Sequence, residues 1–449
     1  MRHGFRRILV ANRGEIAARI IRTCQRLGIE TVLTVSDADA GSLPARLADA
    51  VIRIGPASPA SSYLNADAVA GAAVAAGADA VHPGYGFGSE NPRLARACAA
   101  AGVVFIGPEA ATLEAAGDKL AAREHAVAAG LPVLPEGADA GFPVLVKAAG
   151  GGGGRGLRVV RDPASLAAAV TLASAEAEAA FGDPRVYLER YVSPARHVEV
   201  QLLGDGERVI HLGDRDCSVQ RRYQKLIEEA PAPLLSAPLR DGLHEAAVTL
   251  GTRLRYRGAG TVEFLVDAAS EAFYFLEVNA RIQVEHPVTE AVTGLDLVAE
   301  QIAIAEGRPL RLAQDDVTIT GHAIECRVNA EDPARDFTPS PGTVRRAVFP
   351  AGVRVDTHIQ AGSTVPPQYD SLLAKIIARG GDRAGALARL SAALDRCEID
   401  GVATNLRTQQ MLLAGAEFAR GGVDTGYLER RLAGETAVPV RANSGASRG

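Results

Sequence analysis

Two acidic residues near the middle of the chain are placed as a metal-binding pair would be. The segments 261–267 (TVEFLVD) and 272–279 (AFYFLEVN) read as strands on either side of a polar turn, and they carry Glu263 and Glu277. If this hairpin is centred near Ser270, the two glutamates face each other with Cβ atoms about 5 Å apart. Facing carboxylates repel unless a cation lies between them, so the pair predicts a hard divalent metal. The alternative is a solvated strand edge with two unrelated glutamates.

The residues that follow extend this chemistry along the chain. Asn279 adds a neutral oxygen of the kind that such metals accept as a ligand. Arg281, Gln283 and Glu285 alternate along the sequence, and a continued strand would direct all three towards one face, beside the metal. We therefore expect a surface on which a cation, an arginine and a carboxylate lie close together.

Composition and charge exclude several classes of protein. The chain has 449 residues, of which 47% are hydrophobic and 22% charged, as in a globular protein of about three domains. A net charge of −5 argues against a general nucleic-acid binder, and no apolar run approaches the roughly 20 residues that span a membrane. The five cysteines are odd in number and lack CxxC spacing, which favours a reducing cytoplasm and argues against structural zinc.

Lysine is scarce in this chain, so each lysine is informative. Of the 48 basic residues only four are lysine, namely Lys119, Lys147, Lys225 and Lys375. Three of them lie next to phosphate-type or acidic motifs, where a compact ammonium is useful. Lys147 precedes five glycines, 150–154, between two predicted strands. Such a run lets the backbone approach phosphate oxygens and move as a lid, and the alternative is a flexible hairpin turn.

The remaining patterns indicate α/β units. Residues 6–35 read as strand, helix, strand, which begins a doubly wound domain with a parallel sheet, and this first third of the chain lacks the GxGxxG fingerprint of dinucleotide binding. A basic cluster around Tyr223 and Lys225 is either a ligand site or a solvated face. Arg327 follows Glu325 by two residues in a predicted strand, and a structural salt bridge between them is the simplest interpretation.

Several motifs together resemble the biotin carboxylase family, over residues 5–432. They are ANRGEIA, HPGYGF, KAAGGGGGRG, RDCSVQRR, EEAPAP, the segment 263–290, ECRVNAEDP and YDSLLAK. The resemblance implies an α/β (α+β) fold of three domains around a central ATP-grasp fold. The expected boundaries are 1–117 for a doubly wound N-terminal domain, 118–317 for the ATP-grasp domain with a lid subdomain at about 131–192, 318–435 for the C-terminal domain and 436–449 for a disordered tail.

The resemblance also implies a reaction and its ligands. ATP and bicarbonate give carboxyphosphate and ADP, and the carboxyl group then passes to N1 of biotin, with two Mg²⁺ or Mn²⁺ ions. The implied metal ligands are Glu263, Glu277 and Asn279. The implied catalytic residues are Lys225, Arg281, Glu285 and Arg327. The implied nucleotide and substrate contacts are Lys119, Lys147, Gly153, Gly154, Glu189, Arg190, Tyr191, Val192, His197, Gln220, Tyr223, Gln283, Val284 and Tyr85.

Individual roles follow from the same resemblance. Glu285 would deprotonate bicarbonate, which Lys225, Arg281, Gln283 and the Val284 backbone would hold. Arg327 would stabilise the enolate oxygen of biotin, Tyr85 would lie beside the biotin ring, and phosphate released from carboxyphosphate would act as the base for N1.

The sequence departs from the family pattern at three places. Tyr223 stands where histidine is common, and a phenol cannot carry positive charge, so nucleotide affinity is expected to differ. The segment 131–146 is shorter than usual, which affects the shape of the lid subdomain. Gly88 stands where leucine is usual, which is a small packing change.

The partners are expected to be separate chains. The only methionines are Met1 and Met411, so there is no AMKM-type biotinylation site, and we expect a biotin carrier protein and a carboxyltransferase subunit from elsewhere, with a homodimer of this chain. Two alternatives remain open. One is another ATP-grasp ligase that joins an acyl phosphate to an amine, and the other is a nucleotide-binding homologue with impaired catalysis.

Overall fold

The fold begins with a small parallel sheet, as the sequence predicts. A computed structural model describes residues 4–137, 141–149 and 157–436. The first five strands form a parallel sheet in the order β3-β2-β1-β4-β5, so the predicted strand–helix–strand start is confirmed. These elements are β1 (Arg7–Val10), α1 (Gly14–Leu27), β2 (Glu30–Ser36), α2 (Leu43–Leu47), β3 (Ala50–Gly55), α3 (Ala66–Ala75), β4 (Ala80–His82), α4 (Pro92–Ala100), β5 (Val104–Phe105) and α5 (Ala110–Gly117).

A three-stranded antiparallel sheet and a large antiparallel sheet follow. The small sheet has the order β7-β6-β8 and packs against α7. The elements of this part are α6 (Lys119–Ala128), β6 (Val144–Ala148), β7 (Arg158–Val160), α7 (Leu166–Phe181), β8 (Val186–Arg190), β9 (Ala195–Asp205), β10 (Val209–Arg221), β11 (Gln224–Ala230), α8 (Ala237–Arg253), β12 (Arg257–Asp267), β13 (Phe273–Asn279), α9 (His286–Thr293) and α10 (Leu297–Ala305).

The last part adds strands to the large sheet. Its elements are β14 (His322–Asn329), β15 (Glu331–Asp332), β16 (Thr338–Pro339), β17 (Gly342–Thr343), β18 (Arg346–Val348), β19 (Arg354–Thr357), β20 (Thr364–Val365), β21 (Leu372–Gly380), α11 (Arg383–Leu394), β22 (Glu398–Asp400), α12 (Leu406–Leu413), α13 (Ala416–Arg420) and α14 (Tyr427–Thr436). Helix α14 includes residue 436, the first residue of the predicted tail. The rest of that tail, 437–449, lies outside the described residues.

One eight-stranded sheet connects the central and last parts of the chain. Its order is β13-β12-β9-β10-β11-β14-β21-β19, and β11 pairs with β14 in antiparallel register. Strand pairing therefore continues across the boundary predicted at 318, and residues on both sides of that position share a single sheet face.

The alternation of side chains in β9 and β12 separates the core from a polar face. Val198 and Val200 pack with Val262 and the helix α8 in one apolar cluster. The residues between them are polar, yet β9 is buried along nearly its whole length because other polar side chains cover that second face. The period of two thus places core residues on one side of the sheet and a polar group of residues on the other.

The register of the β12–β13 hairpin confirms the pairing of the two acidic residues. Glu263 is the Cα partner of Glu277, so the carboxylates share a face. The register shifts at the next position, where Phe264 pairs with Phe275. Strand β13 therefore contains one extra residue at this point. The hairpin therefore does not have the single uniform register that centring it on Ser270 implies.

The predicted strand over 281–285 is wrong. Strand β13 ends at Asn279, and the chain turns as a loop into α9, which begins at His286. Pro287 lies in the first turn of this helix, where its fixed φ and missing N–H are accommodated, so the chain leaves the sheet here. None of the helices in the described residues combines the length and apolarity that a bilayer span requires.

A glycine in β12 makes room for a buried aromatic ring. A Cβ at Gly260 would lie 2.3 Å from the Tyr256 ring, which is fully buried and donates its hydroxyl to Ala259 O at 3.0 Å. Because neither group can move freely, we expect Gly260→Ala to lower the free energy of unfolding by about 1–3 kcal/mol. Thermal unfolding by calorimetry measures this change.

The matched control for that variant is Gly71→Ala. Gly71 lies inside α3 with open space around its Cα, so added alanine is expected to stabilise the helix by about 0.5–1 kcal/mol. Equal unfolding temperatures for the two variants would contradict the steric account of Gly260.

Candidate active site

Three glutamates lie in a row across three neighbouring strands. Glu199 of β9 is the Cα partner of Glu263 of β12, which is in turn the partner of Glu277 of β13. All three belong to the polar face of the sheet. The sequence reasoning identified Glu263 and Glu277 but missed Glu199, although the alternation HVEVQ at 197–201 is the signal that places it there.

The ammonium group of Lys225 joins this row to the loop after β13. Its Nζ donates to Glu199 Oε2 at 2.6 Å, to Glu263 Oε1 at 2.8 Å and to Glu285 Oε1 at 2.6 Å. Burial disfavours the charge of the lysine, but the three carboxylates hold the pKa of its ammonium well above the ordinary range. Lys225 is therefore a fixed cation at the centre of the site, on the turn side of β11.

Glu285 lies between cations from three directions. Besides Lys225, Arg327 donates from Nη2 to Glu285 Oε2 at 2.9 Å. Burial would favour the neutral acid, yet Lys225, Arg327 and Arg215 together lower the pKa of Glu285 below its ordinary value. In this arrangement Glu285 is an ionised carboxylate and a weak base.

Arg327 has a different partner from the one that its neighbourhood in the sequence suggested. Its Nε donates to Glu228 Oε1 at 2.5 Å, and it makes no hydrogen bond to Glu325 in the described part of the chain. The salt bridge expected between Arg327 and Glu325 is thus wrong. The reason is that the two side chains are spaced along one strand, whereas Glu228 reaches Arg327 from the neighbouring strand β11.

The predicted metal ligands are close together and offer oxygen atoms. Asn279 Nδ2 lies 3.0 Å from Glu263 Oε1 and 3.3 Å from Glu277 Oε1. Two carboxylates and an amide form a donor set that suits a hard divalent cation. Positive groups surround this set, because Lys119 Nζ lies 3.5 Å from Glu277 Oε2 and His197 Nε2 lies 2.9 Å from Glu263 Oε2.

The loop residues that were expected in a strand still reach the same face. Gln283 Nε2 donates to Glu263 Oε1 at 3.0 Å. Arg281 donates from Nη2 to Asn279 Oδ1 at 2.6 Å and from Nε to Glu90 Oε2 at 3.0 Å. Glu90, which sequence reasoning missed, therefore attaches the loop to the N-terminal sheet region.

Four of the predicted nucleotide residues form two contacting pairs. Lys147 Nζ pairs with Glu189 Oε2 at 2.9 Å, and both side chains are buried. Gln220 Nε2 lies 2.6 Å from His197 Nδ1. Burial disfavours the imidazolium of His197, but the carboxylate of Glu263 raises its pKa above the ordinary value and so favours positive charge on this ring.

The backbone of the segment after Glu189 is partly engaged. The amide of Arg190 donates to Pro135 O and that of Tyr191 donates to Pro143 O, each at 3.0 Å. Val192 follows directly at the end of this edge. Gly153 and Gly154 lie outside the described residues.

Tyr223 occupies a tight turn between β10 and β11. Arg222 and Tyr223 have φ values of 48° and 66°, and Arg221 pairs with Gln224 across the turn. Positive φ at both central residues is the geometry of a type I′ hairpin. The Tyr223 side chain is 45% exposed, and partial burial raises the pKa of its phenol. Tyr223 is therefore neutral at physiological pH.

Lys375 links the predicted biotin residue to the predicted bicarbonate residue. Its Nζ donates to Val284 O at 2.8 Å, lies 3.1 Å from Glu15 Oε1 and lies 5.8 Å from the centre of the Tyr85 ring. Tyr85 also donates its hydroxyl to Glu15. The sequence singled out Lys375 only by its rarity, because its partners are distant in the chain.

Comparison with known proteins identifies the family of this chain. Family models match the chain as the biotin carboxylase N-terminal domain over 4–113, the ATP-binding domain of the carbamoyl-phosphate synthase L chain over 112–313, and the biotin carboxylase C-terminal domain over 325–430. The biotin carboxylase of Pseudomonas aeruginosa is 48% identical over 445 residues, which cover 95% of this chain and 98% of that protein.

Two further similarities extend this result. Biotin carboxylase 1 of Bacillus subtilis is 45% identical over 441 residues, covering 94% of this chain and 98% of that protein. The biotin carboxylase domain dimer of Hydrogenobacter thermophilus 2-oxoglutarate carboxylase, solved with MgADP, ADP and bicarbonate, has a TM-score of 0.93 and 42% identity, covering 96% of this chain and 98% of that one. The predicted α/β architecture with a central ATP-grasp fold is confirmed. This chain belongs to the biotin carboxylase family and is an ATP-grasp ligase.

Proposed function

We propose that this chain performs the first half-reaction of an acetyl-CoA or other acyl-CoA carboxylase. It uses ATP and bicarbonate to carboxylate biotin on a separate carrier protein, through carboxyphosphate. The observation that carries this assignment is the position of Lys225, whose ammonium contacts both a predicted metal ligand, Glu263, and the predicted base, Glu285. A single cation thus connects the phosphate-transfer side of the site to the bicarbonate side.

Nucleotide binding falls to the lysines of the central part. Lys119 begins α6 and points to Glu277, and Lys147 is buried against Glu189. Both ammonium groups offer positive charge to the polyphosphate, while the strand edge from Glu189 to Val192 faces the adenine. The glycines 153 and 154 complete the phosphate contacts in this proposal.

The donor set at β12 and β13 fits magnesium or manganese. Glu263, Glu277 and Asn279 would hold two such ions, which draw charge from the ATP phosphates when bound. In the structure, Lys225 and His197 contact Glu263 and Lys119 contacts Glu277, so positive groups already lie beside both carboxylates.

Bicarbonate is held between the cations and activated by Glu285. Lys225, Arg281, Gln283 and the Val284 backbone surround the position beside this carboxylate. Glu285 is a weak base while the cations contact it directly, and a bound anion that takes up part of their charge raises its proton affinity. The bicarbonate oxygen then attacks the γ-phosphorus of ATP, and ADP leaves as carboxyphosphate forms.

Carboxyl transfer follows at the Arg327 side of the site. Carboxyphosphate breaks down to CO2 and phosphate, and the phosphate removes the proton from biotin N1, which leaves the enolate form of the ring. Arg327 stabilises the enolate oxygen, and Tyr85 lies beside the ring, on the surface that Lys375 supports. The N1 electron pair then attacks the carbon of CO2, and carboxybiotin forms.

The remaining components are proposed to be separate. A biotin carrier protein and a carboxyltransferase subunit complete the enzyme, and the chain forms a homodimer, as the Hydrogenobacter relative does. All five cysteines are free and buried, which supports a reducing compartment such as the cytoplasm.

Removing the proposed base tests the first step. Glu285→Gln keeps the shape of the side chain but cannot accept a proton, so we expect bicarbonate-dependent ATP hydrolysis to fall by about 10²–10⁴-fold. Glu300→Gln is the control, because Glu300 is also buried and pairs with an arginine, Arg311, away from the site. Activity of Glu285→Gln within threefold of the control, about 0.7 kcal/mol, would exclude Glu285 as the base.

The metal assignment has its own test within one hairpin. Glu277→Gln removes one charged ligand, so the Mg²⁺ concentration for half-maximal ATP hydrolysis is expected to rise by about 10–100-fold. Glu271→Gln changes the same charge in the exposed turn of the hairpin and is expected to leave the Mg²⁺ requirement unchanged. Parallel shifts in both variants would show a general charge effect and would refute the ligand role.

The replacement of histidine by tyrosine at 223 gives the third test. Tyr223→His restores a group that can carry positive charge near the phosphates, so KM for ATP is expected to fall about threefold with little change in kcat. Tyr223→Phe separates the hydroxyl from the ring. A large rise in kcat for Tyr223→His would instead mean that the natural site is catalytically impaired.

A further inference from the structure

Glu325 in the middle of β14 is a buried glutamate that the proposed reaction does not use. It is 0% exposed, and neither of its carboxylate oxygens has a hydrogen-bond partner among the described residues. Its Cα partner on β11 is Glu228, whose Oε2 is also buried without a partner in this part of the chain. Glu228 Oε1 accepts the Nε proton of Arg327 at 2.5 Å. Two carboxyl groups therefore face each other with three of their oxygens unpaired.

The alternation of β14 shows which face these groups occupy. Cys326 and Val328 pack with the helices α11 and α12, whereas Ala323 packs with Val288 of α9. Glu325 and Arg327 share the second face, because side chains in a strand alternate with a period of two. Glu325 thus lies on the active-site side of the sheet, under the beginning of α9.

The donors around Glu325 in the described parts of the chain are already engaged elsewhere. Ionisable groups from four neighbouring places share this face. They are Glu228 of β11, Lys375 of β21, Arg327 of β14 itself, and Glu285, His286 and Glu290, of which Glu285 directly precedes α9 and the other two lie in it. Lys375 donates to Val284 O, and Arg327 donates to Glu228 and Glu285. His286 Nδ1 lies 2.7 Å from Gln283 O.

An ionised Glu325 would be a buried charge without a hydrogen bond, facing a second carboxylate. Burial, which outweighs the opposing charge of Lys375, raises the pKa of Glu325 well above its ordinary value. Burial also raises the pKa of Glu228. Facing carboxyl groups in such a site retain one proton between them, because both cannot be charged at once without a cation between them.

We propose that Glu325 is a positioning residue that is present as the neutral acid and donates its carboxyl proton to Oε2 of Glu228. Glu228 then keeps its other oxygen on Arg327. This inference rests on the proposed function, in which Arg327 stabilises the biotin enolate. With one shared proton, the pair carries a single negative charge, which orients the guanidinium but leaves it available to the substrate. A second negative charge would draw Arg327 away from biotin.

Infrared spectroscopy of the full chain tests the proton directly, independently of catalysis. At pH 7 we expect the wild-type spectrum to contain a protonated-carboxyl band that is lost in Glu325→Gln. Glu229→Gln is the matched control, because Glu229 lies next to Glu228 on the opposite face, with both oxygens paired to Arg383 and one also to His322. This variant should retain the band. Identical wild-type and Glu325→Gln spectra would overturn the proposal.

A second variant keeps the spectroscopic test decisive if Glu325→Gln does not fold. Glu228→Gln replaces the charged acceptor by an amide, so the acid band of Glu325 is expected to shift in frequency. A band that is present in the wild type and unchanged in position in Glu228→Gln would show that its proton does not lie between these two residues.

Activity measurements then test the positioning role. The side-chain amide in Glu325→Gln can still donate a hydrogen bond, so this variant is expected to keep biotin-dependent ATP consumption within threefold of the wild type, whereas Glu325→Leu lowers it by about tenfold or more. At alkaline pH the wild type should lose biotin-dependent activity as the pair ionises, and Glu325→Gln should not. Wild-type behaviour of Glu325→Leu would refute the role, and a wild type without biotin stimulation would instead refute the proposed function.

Discussion

The buried ammonium of Lys225 is the interaction on which the site depends. Three carboxylates, Glu199, Glu263 and Glu285, approach it from two strands and a loop, at 2.6–2.8 Å. Without a cation, these buried charges would repel one another strongly. The lysine therefore allows a dense group of acids to exist at neutral pH, which the proposed metal and bicarbonate sites both require.

The large sheet makes that density possible, because strand register aligns the acids without help from flexible loops. Glu199, Glu263 and Glu277 are in register across β9, β12 and β13, and apolar residues between them face α8. Farther along the same face, β11 and β14 bring Glu228 and Arg327 together. Continuous pairing from β13 to β21 gives the metal side and the biotin side one rigid support.

Side-chain alternation in the sequence predicts which residues face each other within a strand pair. It does not predict where a strand ends and the chain changes direction. The pairing of Glu263 with Glu277 follows from alternation and turn length, and the structure has it. The same reasoning extended the strand through Glu285, but strand β13 ends at Asn279 and the chain turns through a loop into α9. Lys375 could not be placed from the sequence, since its contacts to Val284 and Glu15 join segments that only the tertiary fold brings together.

In the proposed mechanism, the same charge balance allows Glu285, a weak base, to serve the reaction. Direct contact with Lys225 and Arg327 keeps Glu285 ionised, so it takes no proton from solvent and remains available. In that proposal, a bicarbonate ion that enters among these cations would share their positive charge, and the proton affinity of Glu285 would rise when the substrate is in contact. The basicity of Glu285 would then be a property of the site with bicarbonate bound, and this would restrict proton transfer, and the ATP consumption that follows it, to sites that hold bicarbonate.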